Sequence, residues 1–278
     1  MRSTKLGAAL LAGALVLAAC GDDGGSAKTT TAAGAGGATI TPVTADTLTV
    51  VTSLPAPGFF NGEDPADISG GLEYGLAKAI AAELGLANVK VINTSFDSIV
   101  AGAVTDKFDI IFSQVTITDE RKKVVTFSTP YFDGDQGILV KKGTKVATLA
   151  DAQKLQWGVQ TGTTGEALVT EKVKPAKEAQ SFQDLAAAYT ALNAGQVDAV
   201  IMDTTINLGQ AAASGGKLEV VGQFKTGEQY GAIYPKDSKN VATIDAIIKG
   251  LVDDGTVSQL SAEWLGGDPA SVPVIALT

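Results

Sequence analysis

The chain has 278 residues, 45% of them apolar, with 30 acidic against 21 basic side chains, a net charge of −9, one cysteine and no histidine. That inventory excludes a Ser-His-Asp engine, a His/Cys transition-metal centre and an internal disulfide, and the acidic balance disfavours electrostatic binding to nucleic acid or anionic lipid. An all-carboxylate calcium or magnesium site stays open by inventory, but no spacing of Asp and Gly suits a calcium loop, and neither metal nor cofactor is expected.

Residues 1–19 open with two cations, Arg2 and Lys5, followed by an apolar run from Leu6 and then small residues. This reads as a secretory signal, too short and wrongly flanked to span a membrane. The ending "LAAC", Leu17 to Cys20, resembles a bacterial lipobox, which makes Cys20 the expected lipidation site; otherwise Cys20 is the tail of an ordinary signal. Residues 20–45 are mostly Gly, Ala, Ser and Thr. They bury too little apolar surface to offset the entropy of ordering and are expected to form a flexible tether. The remainder, about 230 residues from Asp46, suits two lobes or one large domain.

From there short strand-like runs alternate with helical ones, the α/β pattern. "TLTVVTS" (47–53) reads as a strand, and "GLAKAIAAELG" (75–85) as a helix with Leu76, Ile80 and Leu84 four apart and Gly85 as its stop. A strand is expected over 88–94, a helix over 96–107 and a strand over 108–114. "WGVQTGTTGEAL" (157–168) reads as strand, glycine-rich turn and helix, and 181–204 as helix then strand. "DKFDIIFS" and "GQVDAVIMD" share one plan: Asp109 or Asp198 opens an apolar strand, and Ser113 or Asp203 closes it.

Ligands of open parallel sheets bind beyond the carboxyl ends of the strands, where Ser113 and Asp203 fall. Asp203 is either the cap of the following "TTINLGQAAA" helix or a carboxylate in need of a cationic partner. The turn holding Thr163 and Thr164 offers outward N–H groups and hydroxyls to an anion; alternatively it is an ordinary capped turn. It lacks the Gly-Lys-Ser/Thr ending of a P-loop. In "ITDERKKVVTFSTPYF" (117–132) a run of mixed charge is ordinarily a wet surface. Arg121, however, follows a strand end, with Thr116 and Thr118 between, and its guanidinium can fork onto both oxygens of a carboxylate. An acid for an ammonium, an arginine for a carboxylate and an anion-friendly turn together describe an α-amino acid site.

Over nearly all of 46–266 the chain resembles the bacterial extracellular solute-binding proteins of family 3, which serve amino-acid ABC transporters. The stretches that carry the resemblance are "GGLEYGLAKAIAAELG", "SFDSIVAGAVTDKFDIIFSQVTITDERKKVVTFSTPYF", "GILVKKG", "WGVQTGTTGEAL", "LNAGQVDAVIMD" and "DDGTVSQLSAEWLG". The resemblance implies an α/β fold, a two-lobed periplasmic-binding-protein-like (type II) clamshell in which each lobe is a mainly parallel sheet flanked by helices. Lobe 1 is expected over 46–137 plus 232–278 and lobe 2 over 138–231. It further implies that Arg121 holds the ligand carboxylate with Thr163 and Thr164, and that Asp203 holds the ammonium. Ser113, Gln114 and Thr116 belong to the strand-end cage; Phe96 stacks on the ligand side chain, with Phe59 or Phe60 as the other wall. Gln136 is expected near the crossover, without an assigned role. Two positions depart from the family pattern: Leu72 stands where an aromatic is usual, and Gly75, read as a helix cap, where a second acid is usual.

The implied activity is capture of a polar L-amino acid and its delivery to a membrane permease, with no catalysis, by a monomer held at the outer face of the cell membrane or in the periplasm. An aromatic, hydroxyl-lined pocket favours an uncharged or acidic side chain over a basic one. Two alternatives stay open: a prephenate- or arogenate-type dehydratase on the same fold, and a ligand sensor acting through a partner.

Overall fold

The computed structural model describes residues 39–278; the signal and Cys20 lie outside them. Lobe 1 opens with β1 (Thr47–Thr52), α1 (Leu72–Glu83), β2 (Asn88–Asn93), α2 (Phe96–Val100), β3 (Ile110–Ile111) and β4 (Thr126–Phe127). The chain then crosses into lobe 2 through β5 (Phe132–Lys141), α3 (Leu149–Ala152), β6 (Trp157–Gln160), α4 (Thr164–Leu168), β7 (Gln180–Phe182), α5 (Leu185–Ala194), β8 (Ala199–Asp203), α6 (Thr204–Ala213) and β9 (Leu218–Tyr230). It returns as β10 (Ile233–Tyr234), α7 (Val241–Asp253) and α8 (Thr256–Trp264).

Each lobe holds a five-stranded sheet, ordered β2-β1-β3-β10-β4 and β7-β6-β8-β5-β9. The first three strands of each are mutually parallel. The fourth runs antiparallel to both its neighbours. Four of five strands in each sheet therefore point one way, as expected of mainly parallel sheets, but half of the neighbouring pairs are antiparallel. The reversed strands, β10 and β5, are the first laid down after the chain arrives from the other lobe. The shared plan read from "DKFDIIFS" and "GQVDAVIMD" has a physical basis. Asp109 accepts the Thr49 N–H at 2.8 Å and Asp198 accepts the Gln156 N–H at 2.9 Å, each pinning its strand to the one beside it.

Helix α1 buries Leu72, Leu76 and Ile80 on one stripe against the β1 residues Leu48 and Val50. It starts three residues before the predicted position. Its cap is Gly71, at φ 123°, where an added Cβ would stand 2.2 Å from the Phe59 carbonyl oxygen; only glycine makes that turn. Gly75 is thus not a cap but an interior residue, and a Cβ there would lie 2.6 Å from Leu260 Cδ2 of α8. The close approach of α8 accounts for a small residue at that position. Helix α2 is shorter than expected because the chain turns at Gly102, at φ 67°, and β3 is shorter because it pairs with β1 only at Ile110 and Ile111.

Three segments lie apart from the expected lobe limits. Ile40 is buried in the lobe 1 core and the Val43 N–H donates to Asp109 at 2.9 Å, so the segment from residue 40, read as tether, is docked. Strand β5 joins the lobe 2 sheet from Phe132. Beyond α8 the chain returns to lobe 2: Val274 bridges Gln223, and Ile275 packs into the core that holds Trp157. Truncating Ile40 to alanine is expected to lower stability to urea by about 2 kcal/mol, the low end for a buried aliphatic. An unchanged urea midpoint would show that this segment adds nothing to the core.

Candidate functional site

The charged turn at 119–123 divides its charges between water and the interior. Lys122 pairs with Asp119 at 3.2 Å and Lys123 with Glu120 at 3.6 Å, both pairs exposed and worth little. Arg121 points inward and is 8% exposed. It begins a single 3-10 turn, its own N–H donating to Thr118 Oγ1 at 3.1 Å. Nη1 donates to the Thr116 carbonyl at 2.7 Å and Nη2 to the Gly162 carbonyl of lobe 2 at 3.0 Å. The guanidinium lies 5.6 Å from the Phe96 ring centroid, within cation–π range. Two of its five N–H groups are engaged in these bonds, leaving three for a ligand.

Asp203 ends β8 and precedes α6, but its side chain makes no capping bond. Its carboxylate is buried; Oδ1 accepts from Gln136 Nε2 at 2.5 Å and Oδ2 from the Tyr230 hydroxyl at 2.6 Å. Gln136 reaches it because the two residues are direct partners in the β5–β8 ladder, which puts their side chains on one face. Among the described residues no Lys or Arg comes within ion-pair distance of Asp203. Glu228, near the end of β9, completes the cluster. Its Oε2 accepts from Thr164 Oγ1 at 2.8 Å, Gln136 Nε2 at 3.0 Å and Thr116 Oγ1 at 3.2 Å. Thr116 belongs to lobe 1 and Thr164 to lobe 2, so this carboxylate ties the two together.

Beside the cluster lies a cavity of about 250 Å³ between the lobes. Phe59, Phe96, Ser113 and Gln114 line it from lobe 1, and Tyr189 and Met202 from lobe 2. Of the residues anticipated from sequence, Arg121, Asp203, Thr116 and Thr164 therefore meet in the charged cluster, and Phe59, Phe96, Ser113 and Gln114 meet at the cavity. Two do not join them. The Thr163 hydroxyl donates to the Gln160 carbonyl at 2.7 Å and accepts the Glu166 N–H at 3.0 Å, so it is the α4 cap. Phe60 is buried away from the cavity, its ring 6.2 Å from that of Tyr74. Glu228, Tyr230 and Glu73 were not anticipated.

The chain matches the model of the bacterial extracellular solute-binding proteins, family 3, over residues 48–267. It is 31% identical over 217 residues to the L-cystine-binding protein TcyJ of Escherichia coli (strain K12), covering 76% of this chain and 79% of that protein. An ancestral arginine-binding protein bound to glutamine superposes with a TM-score of 0.70 at 33% identity, over 80% of this chain and 99% of that one. The ancestral amino-acid-binding protein AncCDT-1, a precursor of cyclohexadienyl dehydratase, superposes with a TM-score of 0.67 at 32% identity, over 79% and 95%.

The electrostatics follow from a buried cation, Arg121, in the field of one buried acid, Asp203, and one half-buried acid, Glu228. Burial first, and then the neighbouring Glu228, raise the Asp203 pKa to about 7 against the pull of Tyr230, Arg121 and Gln136. Burial lowers the Arg121 pKa, opposed by Asp203 and Glu228. An acid whose pKa is raised on folding stabilises the fold fully below its unfolded value, near 4, and loses that contribution as pH rises to about 7. The melting temperature of the empty protein is therefore expected to fall between about pH 4 and pH 7. Asp203→Asn should flatten part of that fall and raise the melt at pH 8, both read by calorimetry or circular dichroism. A variant curve parallel to the parent's would show that Asp203 does not titrate in this window.

Proposed function

Since the chain belongs to the bacterial extracellular solute-binding proteins, family 3, we propose that it captures an L-α-amino acid between its lobes and delivers it to the membrane permease of an ABC importer. The observation that carries this reading is the charge balance at the cleft: two carboxylates, Asp203 and Glu228, act at a distance on one guanidinium, Arg121, whose bonds go to backbone carbonyls instead. One negative charge is left over, buried, and calls for a cation small enough to fit; an ammonium meets that need. The same molecule must bring a carboxylate for the remaining N–H groups of Arg121 and for the hydroxyls of Thr164 and Thr116, which otherwise turn to Glu228. A zwitterion supplies both. TcyJ is an L-cystine-binding protein, and the ancestral arginine-binding protein holds glutamine, in keeping with an amino-acid ligand.

Binding then works as a population shift toward the closed form, in which Arg121 bonds the Gly162 carbonyl across the cleft. Each charge-assisted hydrogen bond to the ligand contributes about 1.5–3 kcal/mol net. The Phe96 ring covers one face of the guanidinium and shields those bonds from water. Delivery calls for a stand at the membrane, which an acylated Cys20 would provide; we read the protein as an extracytoplasmic, lipid-anchored monomer. Its work is binding and release, so no bond of the ligand is made or broken, and a prephenate-type acid should pass unchanged.

Arg121→Ala removes both forks of the carboxylate clamp. It is expected to weaken amino-acid binding by about two orders of magnitude or more, following the roughly 2–5 kcal/mol typical of a lost buried charge partner. Isothermal titration calorimetry against the twenty amino acids, on parent and variant, reads this directly. Undiminished affinity in the variant would remove Arg121 from the carboxylate site.

A further inference from the structure

Glu73 is a fully buried carboxylate with no part in the binding scheme above. It lies on α1, behind the cavity wall, and its bonds go to a residue of that wall. Oε1 accepts the Gln114 backbone N–H at 2.8 Å, while the Gln114 side-chain Nε2 donates to Oε2 and the Tyr131 hydroxyl to Oε1. Gln114 sits at φ 50°, in the left-handed region that a residue with a side chain seldom occupies. Two bonds to the two oxygens of one carboxylate hold it there. With Oε1 taking the Gln114 N–H and the Tyr131 hydroxyl, the Gln114 amide turns its NH₂ to Oε2 of Glu73. Its side-chain carbonyl oxygen makes no bond among the described residues, and Gln114 lines the cavity.

Ser53, Ser113, Gln160, Thr190, Asn193 and Gln210 also line the cavity and can donate, but none of them carries a charge. Tyr189 commits its hydroxyl proton to Asn207 Oδ1 at 2.9 Å, and Asp184 adds a carboxylate at the rim. Among the described residues no Lys or Arg lines the cavity. A ligand side chain ending in a carboxylate would meet the Gln114 oxygen and the Asp184 carboxylate with neutral donors alone and no cation to offset them.

We propose that Glu73 is a positioning residue that sets the side-chain specificity of this site by presenting the Gln114 carbonyl oxygen to the cavity, so that the pocket takes amino acids whose side chains end in N–H donors and rejects those ending in a carboxylate. The proposal rests on the amino-acid reading above and departs from the acidic side chain that the sequence allowed.

The test is calorimetric titration of the parent, Glu73→Gln and Gln114→Met with glutamine, arginine and glutamate. In the parent, glutamate should bind at least about tenfold more weakly than the better of the other two, and by more where the site is fully desolvated. In Glu73→Gln the new amide keeps its oxygen toward the Gln114 N–H and Tyr131 and offers NH₂ to the Gln114 side chain. The Gln114 amide must then reverse and turn its own NH₂ to the cavity. The preference should shift toward glutamate by about tenfold or more. A purely structural role for Glu73 would weaken all three ligands alike, and an unchanged ratio would overturn the proposal. Should Glu73→Gln fail to fold, Gln114→Met decides: a ratio falling toward one supports the proposal, and an unchanged ratio overturns it. A parent that binds glutamate most tightly overturns this inference but leaves the amino-acid reading standing. A parent that binds no amino acid overturns both.

Discussion

A carboxylate at the end of a buried strand, without a cation of its own, is the constraint around which this molecule is arranged. Strand β8 brings Asp203 to the cleft already stripped of water, and the protein answers with two neutral donors, Gln136 and Tyr230, rather than with a lysine or arginine. Neutral donors moderate the cost of the buried charge without cancelling it. The one guanidinium among the described residues, Arg121, is held on the other lobe by the Thr116 carbonyl and closes no ion pair. An ion pair closed within the protein would leave nothing for a ligand to complete; the incomplete one leaves a place for a small charged molecule.

Local order was legible wherever one element decided it. The stripe of Leu76 and Ile80 marked α1, the "TGTTG" turn marked the start of α4, and the apolar runs at 108–114 and 199–203 marked strands that lead to the cleft. Arg121 was legible because four neighbouring charges have no reason to leave water, whereas a residue after a strand end does. The limits were harder. Gly75 looks like a helix cap in isolation, and only the arrival of Leu260 from the far end of the chain makes it an interior position. The two threonines of the turn are indistinguishable as letters. Backbone geometry assigns Thr163 to the cap and turns Thr164 toward Glu228.

What stayed hidden depends on register. Gln136 meets Asp203 only because β5 and β8 pair with those two residues opposite one another. Glu228 and Tyr230 reach the cleft because β9 runs far enough along β5 to arrive at its end. Nothing in "TGEQYG" announces a carboxylate that bonds to both lobes, and nothing in "GGLEYGL" announces that Glu73 sits behind Gln114, 41 positions along the chain. Contacts of this kind are set by how sheets assemble, which a local window does not contain.

The two crossings between lobes lie side by side and are hydrogen-bonded: Phe132 pairs with Tyr230 and Gly134 with Glu228. Just beyond, the ladder is irregular, and there Asp135 accepts the N–H groups of Thr226 and Gly227 at 2.9 and 3.3 Å and the Lys225 ammonium at 2.7 Å. A hinge made from a paired ribbon is unlike a pair of slack connectors. Its pairing fixes the register of the two crossings, and the irregular step adds local twist between them. Glu228 rides on that ribbon and accepts from Thr116 on the opposite jaw, so its reach depends on the angle between the lobes. The angle between the lobes and the fit of the charged cluster are thus a single mechanical variable, and a molecule that settles the cluster sets the angle with it.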